Sequence, residues 1–155
     1  MMNYMLKKMG IVLLLSSCYA CTGDSASETP FSASEQAATI LQIPISTPSS
    51  EKLSTLINMV RTGNRDSVAV LIRDNMAEFL QQIPLDEHTD NLMEFHNGFS
   101  QIEFNRYARN EAHHAIGLFY NTQSDKWVHI GVEVEKEPPH RIYLISIEPA
   151  AAPAD

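Results

Sequence analysis

The sequence predicts an α+β domain in which N-terminal helices pack on one face of an antiparallel sheet of about four strands. Two observations support this prediction. Up to Gly98, apolar residues recur three and four positions apart, which is the spacing of one face of a helix. After Gly98 they alternate with other residues, which is the spacing of a half-buried strand. Helices followed by a meander of strands are typical of this fold class.

Four helices are predicted before the change of period. The first begins near Ser50, with Ser49 or Ser50 as its N-cap, and ends before Gly63. Its buried face is formed by the apolar residues Leu53, Leu56, Ile57 and Val60. The other three helices are predicted over residues 66 to 73, 76 to 82 and 86 to 96. Pro84 ends the third helix and Gly98 ends the fourth.

Four strands are predicted after Gly98, where β-branched and aromatic residues are enriched. The first begins at Ile102, and the others cover residues 115 to 120, 128 to 134 and 142 to 147. The third strand has the clearest alternation, with a valine or isoleucine at every second position from Val128 to Val134. Counting across the turn at residues 121 to 126 places His129 near Leu118 on the neighbouring strand.

Length and charge limit the classes of function. The chain has 155 residues, of which 44% are hydrophobic and 19% charged, as expected for one globular domain. Its formal net charge is −8, and it has no cluster of lysine and arginine. An acidic chain repels the phosphate backbone and anionic lipid headgroups, so the sequence argues against nucleic-acid partners and peripheral lipid binding.

The first residues have the layout of an export signal. Lys7 and Lys8 precede an apolar stretch at residues 9 to 15, which is too short to span a bilayer. Leu15-Ser16-Ser17-Cys18 resembles the bacterial lipobox, so Cys18 is predicted to become a lipidated N-terminus. Cleavage after Ala20 with soluble export, or an uncleaved chain, are the alternatives.

The lipobox interpretation divides the chain into four parts. These are a lipoprotein signal peptide at 1–17, a flexible tether at 18–49, the α+β domain at 50–149 and a disordered tail at 150–155. The apolar stretch "ILQIPI" at residues 40 to 45 is the exception within the tether, and docking of this stretch on the domain is the alternative. Cys18 and Cys21 are too close to form a useful structural disulfide.

Residues 46 to 149 carry a family resemblance. The segments "INMVRTGNRDSVAVLIRDN", "FHNGFSQIEF" and "DKWVHIGVEVEKEPPHRIYLISIEP" resemble the N-terminal accessory domain of exported bacterial serine hydrolases of the β-lactamase type and of tail-specific peptidases. The resemblance implies a cone similar to nuclear transport factor 2, with helices packed into a curved sheet. Those enzymes continue into a large catalytic domain, whereas this sequence ends at Asp155. The resemblance therefore implies an accessory domain without its enzyme.

No motif with catalytic chemistry is convincing. Residues 49 to 52 match S-x-x-K, but no K-T-G or S-D-N follows, so a helix cap with a solvated lysine is the better interpretation. The chain has six histidines. His113 and His114 are adjacent, so on a strand they face opposite sides and do not chelate one ion together. No catalytic residue, cofactor or metal is predicted.

Candidate contact residues fall into two groups. His140 and Arg141 follow Pro138-Pro139, which stiffens the turn and presents a cation to a partner's carboxylate; the alternative is a turn that only closes a hairpin. The second group is assigned to the concave face of the sheet, where small ligands bind in such folds. It consists of Glu103, Arg106, Tyr107, His129 and Tyr143.

The sequence thus favours a non-catalytic binding module of the bacterial cell envelope, anchored in a membrane through lipidated Cys18 and facing the periplasm or the cell exterior. An envelope hydrolase or peptidase, or a small apolar ligand, is the expected partner. The alternative is a small cone-fold enzyme that uses a pocket carboxylate on a small apolar substrate. A third interpretation is a remnant of a larger hydrolase without an independent role.

Overall fold

The computed structural model describes residues 40 to 154. Its three α-helices are α1 (Pro48–Arg61), α2 (Arg65–Asn75) and α3 (Leu85–Phe99). Its strands are β1 (Ile102–Asn110), β2 (His114–Asn121), β3 (Lys126–Val134) and β4 (Ile142–Ala150). The strands form one antiparallel sheet in the order β1-β2-β3-β4. The predicted α+β class is confirmed.

The first helix begins earlier than the sequence suggested. Its N-cap is Thr47, whose hydroxyl accepts a hydrogen bond from the Ser50 backbone, and Pro48 occupies the first helical position. The predicted caps, Ser49 and Ser50, instead lie buried in the first turn. Ser49 donates to the Glu111 carbonyl in the β1–β2 turn, so its hydroxyl attaches α1 to the sheet. The cap prediction was wrong because Pro48 favours the helical N1 position directly after Thr47.

The helix predicted over residues 76 to 82 is not present. Met76 is extended and forms a parallel bridge with Ile142, and the Ala77 N–H donates to the Ile142 carbonyl at 2.8 Å. Only a 3₁₀ turn, Leu80–Gln82, follows. A backbone hydrogen bond to β4 thus replaces the backbone hydrogen bond that would continue a helix here. The spacing of apolar residues does not reveal such a tertiary interaction.

The side chains of the sheet alternate between two faces. The inner face packs against α1, which in turn packs against α2 and α3, and its strand residues from β2 and β3 join the buried core. These core residues are Ala115, Phe119, Val128, Ile130, Val132 and Val134. The outer face carries the intervening residues, and no helix among residues 40 to 154 packs on it. The sheet is therefore covered by helices on one side only.

The apolar segment before α1, residues 40 to 45, is docked on the domain. This matches the alternative given for "ILQIPI", not the flexible tether. Ile43 is buried in the core. The Leu41 backbone exchanges two hydrogen bonds with the Asn58 side chain, at 2.7 and 3.1 Å. The Tyr107 hydroxyl donates to the Pro44 carbonyl at 2.5 Å, so the segment is held by both α1 and β1.

His88 predicts a pH dependence of stability. It is buried in the first turn of α3, and its Nδ1 has no hydrogen-bond partner among the described residues. Burial lowers the pKa of the His88 imidazole from its ordinary value of 6.5, although an interaction with the Leu80 backbone opposes the shift. The unfolded chain therefore takes up this proton more readily than the folded chain. The stabilising effect of neutral His88 is complete above the ordinary pKa and falls as the pH decreases below it.

We therefore expect the free energy of unfolding to fall between about pH 7.5 and about pH 5, and to fall less in His88→Gln. Denaturant titrations of both proteins at the two pH values measure the difference. An equal fall in the free energy of unfolding between the two pH values in both proteins would show that His88 does not contribute to the acid sensitivity.

Candidate binding surface

The outer face of the sheet is organised in cross-strand rows. The register aligns Arg106, Leu118, His129 and Glu148 in one row, and Arg109, Ile116, Gly131 and Ser146 in the next. The rows at the two ends consist of Glu103, Tyr120, Trp127 and Ala150, and of His114, Glu133 and Leu144. The predicted pairing of His129 with Leu118 is confirmed. The face has an apolar centre with charged residues near both edges.

The centre of this face is apolar and closely packed. Leu118 is only 3% exposed although no described helix packs on this face, and its neighbours in the same row are Arg106 and His129. Gly131 lies beside it, and a Cβ at this position would lie 2.7 Å from the Ser146 hydroxyl and 3.3 Å from the Ala115 carbonyl. The strands thus approach closely here, and a larger residue would require Ser146 and its neighbours to shift.

One end of the outer face is aromatic. The rings of Tyr120 and Trp127 lie 5.1 Å apart at a tilt of 43°. The Tyr120 hydroxyl donates to the Asp125 carboxylate at 2.6 Å, and this hydrogen bond is the main cause that raises the pKa of Tyr120. The neutral phenol is therefore the form present near pH 7. This pair was not predicted from the sequence, although counting across the same hairpin places the two residues opposite each other.

The opposite end is polar. Tyr143 donates to the Glu133 carboxylate at 2.5 Å, which is the main cause that raises the pKa of the Tyr143 hydroxyl. An irregularity in the β3–β4 pairing beside Glu133 leaves Tyr143 without a direct cross-strand partner. Arg109 contacts His114 at 2.9 Å and Glu111 at 3.6 Å. Both carboxylates at this end therefore have a partner within the sheet and its turn.

Tyr107 does not belong to this surface. It lies on the inner face, where its ring packs edge-on against Phe104 and its hydroxyl holds Pro44. Burial raises the pKa of its hydroxyl. Of the five residues grouped together, Glu103, Arg106, His129 and Tyr143 lie on the outer face, whereas Tyr107 lies on the face packed against the helices. The prediction of one shared face was wrong, because adjacent strand residues such as Arg106 and Tyr107 face opposite sides.

In the β3–β4 loop, residues 136 to 139 are exposed, whereas His140 is turned back onto the loop. The Pro138-Pro139 bond is cis, and His140 has a positive φ of 54°. The His140 Nδ1 lies 3.0 Å from the Glu135 carbonyl, and its ring lies 5.9 Å from that of His113 in the neighbouring turn. The Arg141 Nε is buried without a hydrogen-bond partner among the described residues. The expectation of a freely presented cation therefore does not hold for His140, whose ring is engaged within the domain.

Residues 40 to 154 enclose no pocket and bring together no three metal-ligating side chains. None of the helices in this part of the chain has the length and apolarity needed to cross a membrane. Cys18 and the predicted signal peptide lie outside the described residues. The chain matches no protein-family model, no curated protein and no solved structure.

Proposed function

We propose that this protein is a non-catalytic binding module of the bacterial cell envelope that contacts its partner through the outer face of the sheet. The module is anchored in a membrane through lipidated Cys18, and its partner is an envelope hydrolase or peptidase. The lipobox pattern supports the anchor, and the resemblance of residues 46 to 149 to an accessory domain supports the class of partner.

The side chains exposed on the outer face are the main support for the proposal. It exposes parts of Tyr120, Trp127 and Ile116, and it combines them with exposed Arg106. Tyrosine, tryptophan and arginine dominate the binding energy of protein interfaces, because they bury large areas and still offer polar contacts. No helix among the described residues uses this surface for the fold itself.

The charges on this face give it a direction. On β1 the two arginines, Arg106 and Arg109, outnumber the one carboxylate, Glu103, whereas Glu148 lies on β4 at the other side. Opposite charges at two margins of an interface fix the orientation of a partner more than they raise its affinity. The partner surface is therefore expected to carry carboxylates near β1 and cations near β4.

Site-specific crosslinking tests the contact surface. A photo-crosslinking amino acid at Ser146, on the outer face, should capture an envelope hydrolase or peptidase in intact cells. The matched control places the same amino acid at Glu94, which is exposed on α3. Equal capture from both positions, or capture from Glu94 alone, would contradict the assignment of the contact to the outer face.

The anchor is tested separately. Cys18→Ser should move the protein from the membrane fraction to the soluble fraction and abolish incorporation of a labelled fatty acid. Several acyl chains give stable attachment, since each buried methylene contributes about 0.8 kcal/mol. A Cys18→Ser protein that remains lipidated and membrane-bound would overturn the anchor proposal, and Cys21→Ser provides the control for loss of a thiol alone.

A further inference from the structure

The two edges of the sheet differ in how they are protected. The pairing of β1 with β2 is interrupted twice by bulges, and β1 carries the charged residues Glu103, Arg106 and Arg109. Bulges and charges both hinder the addition of another strand. The pairing of β4 with β3 has one irregularity, near Tyr143, and is regular from Leu144 to Ala150. Glu148 is the one charged residue of β4.

The register identifies which backbone groups of β4 point away from the sheet. The Val134 N–H donates to the His113 carbonyl, so Val134 directs its polar groups towards β2. Because direction alternates along a strand, Glu133, Gly131 and His129 direct theirs towards β4. Their partners on β4 are Leu144, Ser146 and Glu148. Ile145 and Ile147 therefore direct their N–H and C=O groups outward. Pro149, two residues further along, also faces outward.

The position of Pro149 is consistent with these outward directions. Proline has no N–H and is tolerated in a strand where that group would face solvent. The chain also pairs with this edge at one point. The Ala77 N–H donates to the outward Ile142 carbonyl at 2.8 Å, and Met76 bridges the same residue. Beyond Ile142, no described residue forms a bridge with the outward side of β4.

The side chains along the open part of the edge are apolar and exposed. Leu144 is 46% exposed on the outer face, and Ile147 is 43% exposed on the inner face. A strand laid beside β4 would cover both, because side chains alternate between the two faces of a sheet. Exposed apolar edges of this kind are sites where another chain adds a strand.

We propose that β4 binds an extended segment of a partner protein, which pairs with Ile145 and Ile147 and becomes a fifth strand of the sheet. Only an extended polypeptide matches the alternating donors and acceptors of these two residues. The formal net charge of −8 favours a segment that is neutral or basic, and it disfavours a second copy of this chain. The inference rests on the binding role proposed above and specifies how the partner is held.

Peptide selection tests this mode of binding without knowledge of the partner. The full-length lipidated chain in nanodiscs is presented to a phage library of random dodecapeptides, and binders to an Ile147→Pro version are removed. Selected peptides should be apolar at alternate positions and neutral or basic. Their binding should slow amide hydrogen exchange at Ile145 and Ile147 about tenfold or more. Failure to select any such peptide, or unchanged exchange at both amides, would overturn the proposal.

Proline variants supply the control for backbone pairing. Ile147→Pro removes an outward N–H and should weaken the selected peptides by roughly fivefold to tenfold, the effect of one lost hydrogen bond, while the domain stays folded. Ile147→Val keeps that N–H and should bind within about twofold of the parent chain. Ser146→Pro removes an inward N–H and should destabilise the fold itself. Equal binding by Ile147→Pro and Ile147→Val would exclude pairing through this amide.

Two further outcomes separate this proposal from others. A dimer in sedimentation experiments that Ile147→Pro abolishes would replace the partner segment by a second copy of this chain. Capture of a hydrolase from Ser146 together with failed peptide selection would leave the proposed function intact and overturn strand addition alone.

Discussion

Replacing Phe119 with alanine should lower the free energy of unfolding by about 3–5 kcal/mol, the usual cost of removing a buried phenylalanine. Phe119 is fully buried on the inner face of the sheet. Its ring packs edge-on against Phe104, with the centroids 5.5 Å apart. The ring also lies over Gly117, where a Cβ would come within 2.5 Å of it. The surrounding strands are fixed by their ladders, so the cavity collapses only in part.

Phe79→Ala is the matched control, since Phe79 is 55% exposed next to the 3₁₀ turn. Its replacement should change the free energy of unfolding by less than about 0.5 kcal/mol. Urea titrations of the parent chain and both variants at one pH provide the comparison. Similar losses in the two variants would contradict the assignment of Phe119 to the core.

Replacing Asn121 with alanine should cost about 2 kcal/mol, because three hydrogen bonds are lost together. The side chain is buried at the end of β2. Its amide donates to the Gly98 carbonyl in α3 at 2.8 Å. Its oxygen accepts from the Gln123 and Ser124 backbone at 3.0 and 3.2 Å. One residue thus closes the β2–β3 hairpin and attaches it to a helix.

Asn105→Ala is the control for Asn121, since Asn105 is exposed at a β1 bulge and its side chain has no hydrogen-bond partner among the described residues. It should change stability by less than about 0.5 kcal/mol. Hydrogen exchange adds a local readout, because Asn121→Ala should speed exchange in the turn that follows β2 more than in α1. Uniform acceleration across the domain would show that Asn121 does not act locally.

The parts of the fold that were predicted from the sequence are those with regular periodicity. The alternation from Val128 to Val134 reports burial on one face of a sheet, and hairpin counting then fixed the register of Leu118 and His129. The segment after α2 was mispredicted because Met76 and Ala77 satisfy their backbone groups on β4, a distant part of the chain. Local spacing does not contain that information.

The candidate surface was predicted only in part for a related reason. Arg106 and His129 were grouped together from the sequence, but only the register shows that both lie next to Leu118 in one row. The contact between His113 and His140 depends on a positive φ at His140 and on the meeting of two turns. A pattern of residue types encodes neither of these features, so the sequence placed His140 at an exposed tip.

The docked segment before α1 determines how the domain responds to mechanical load. A pull on the chain ahead of Ile40 first reaches the two bonds between the Leu41 backbone and the Asn58 side chain. The bond from Tyr107 to Pro44 and the bonds of Asn110 with Ser46 and Thr47 come next, ahead of α1 itself. A pulling force on this end is therefore expected to be resisted by several side-chain hydrogen bonds and by buried Ile43 before it reaches α1.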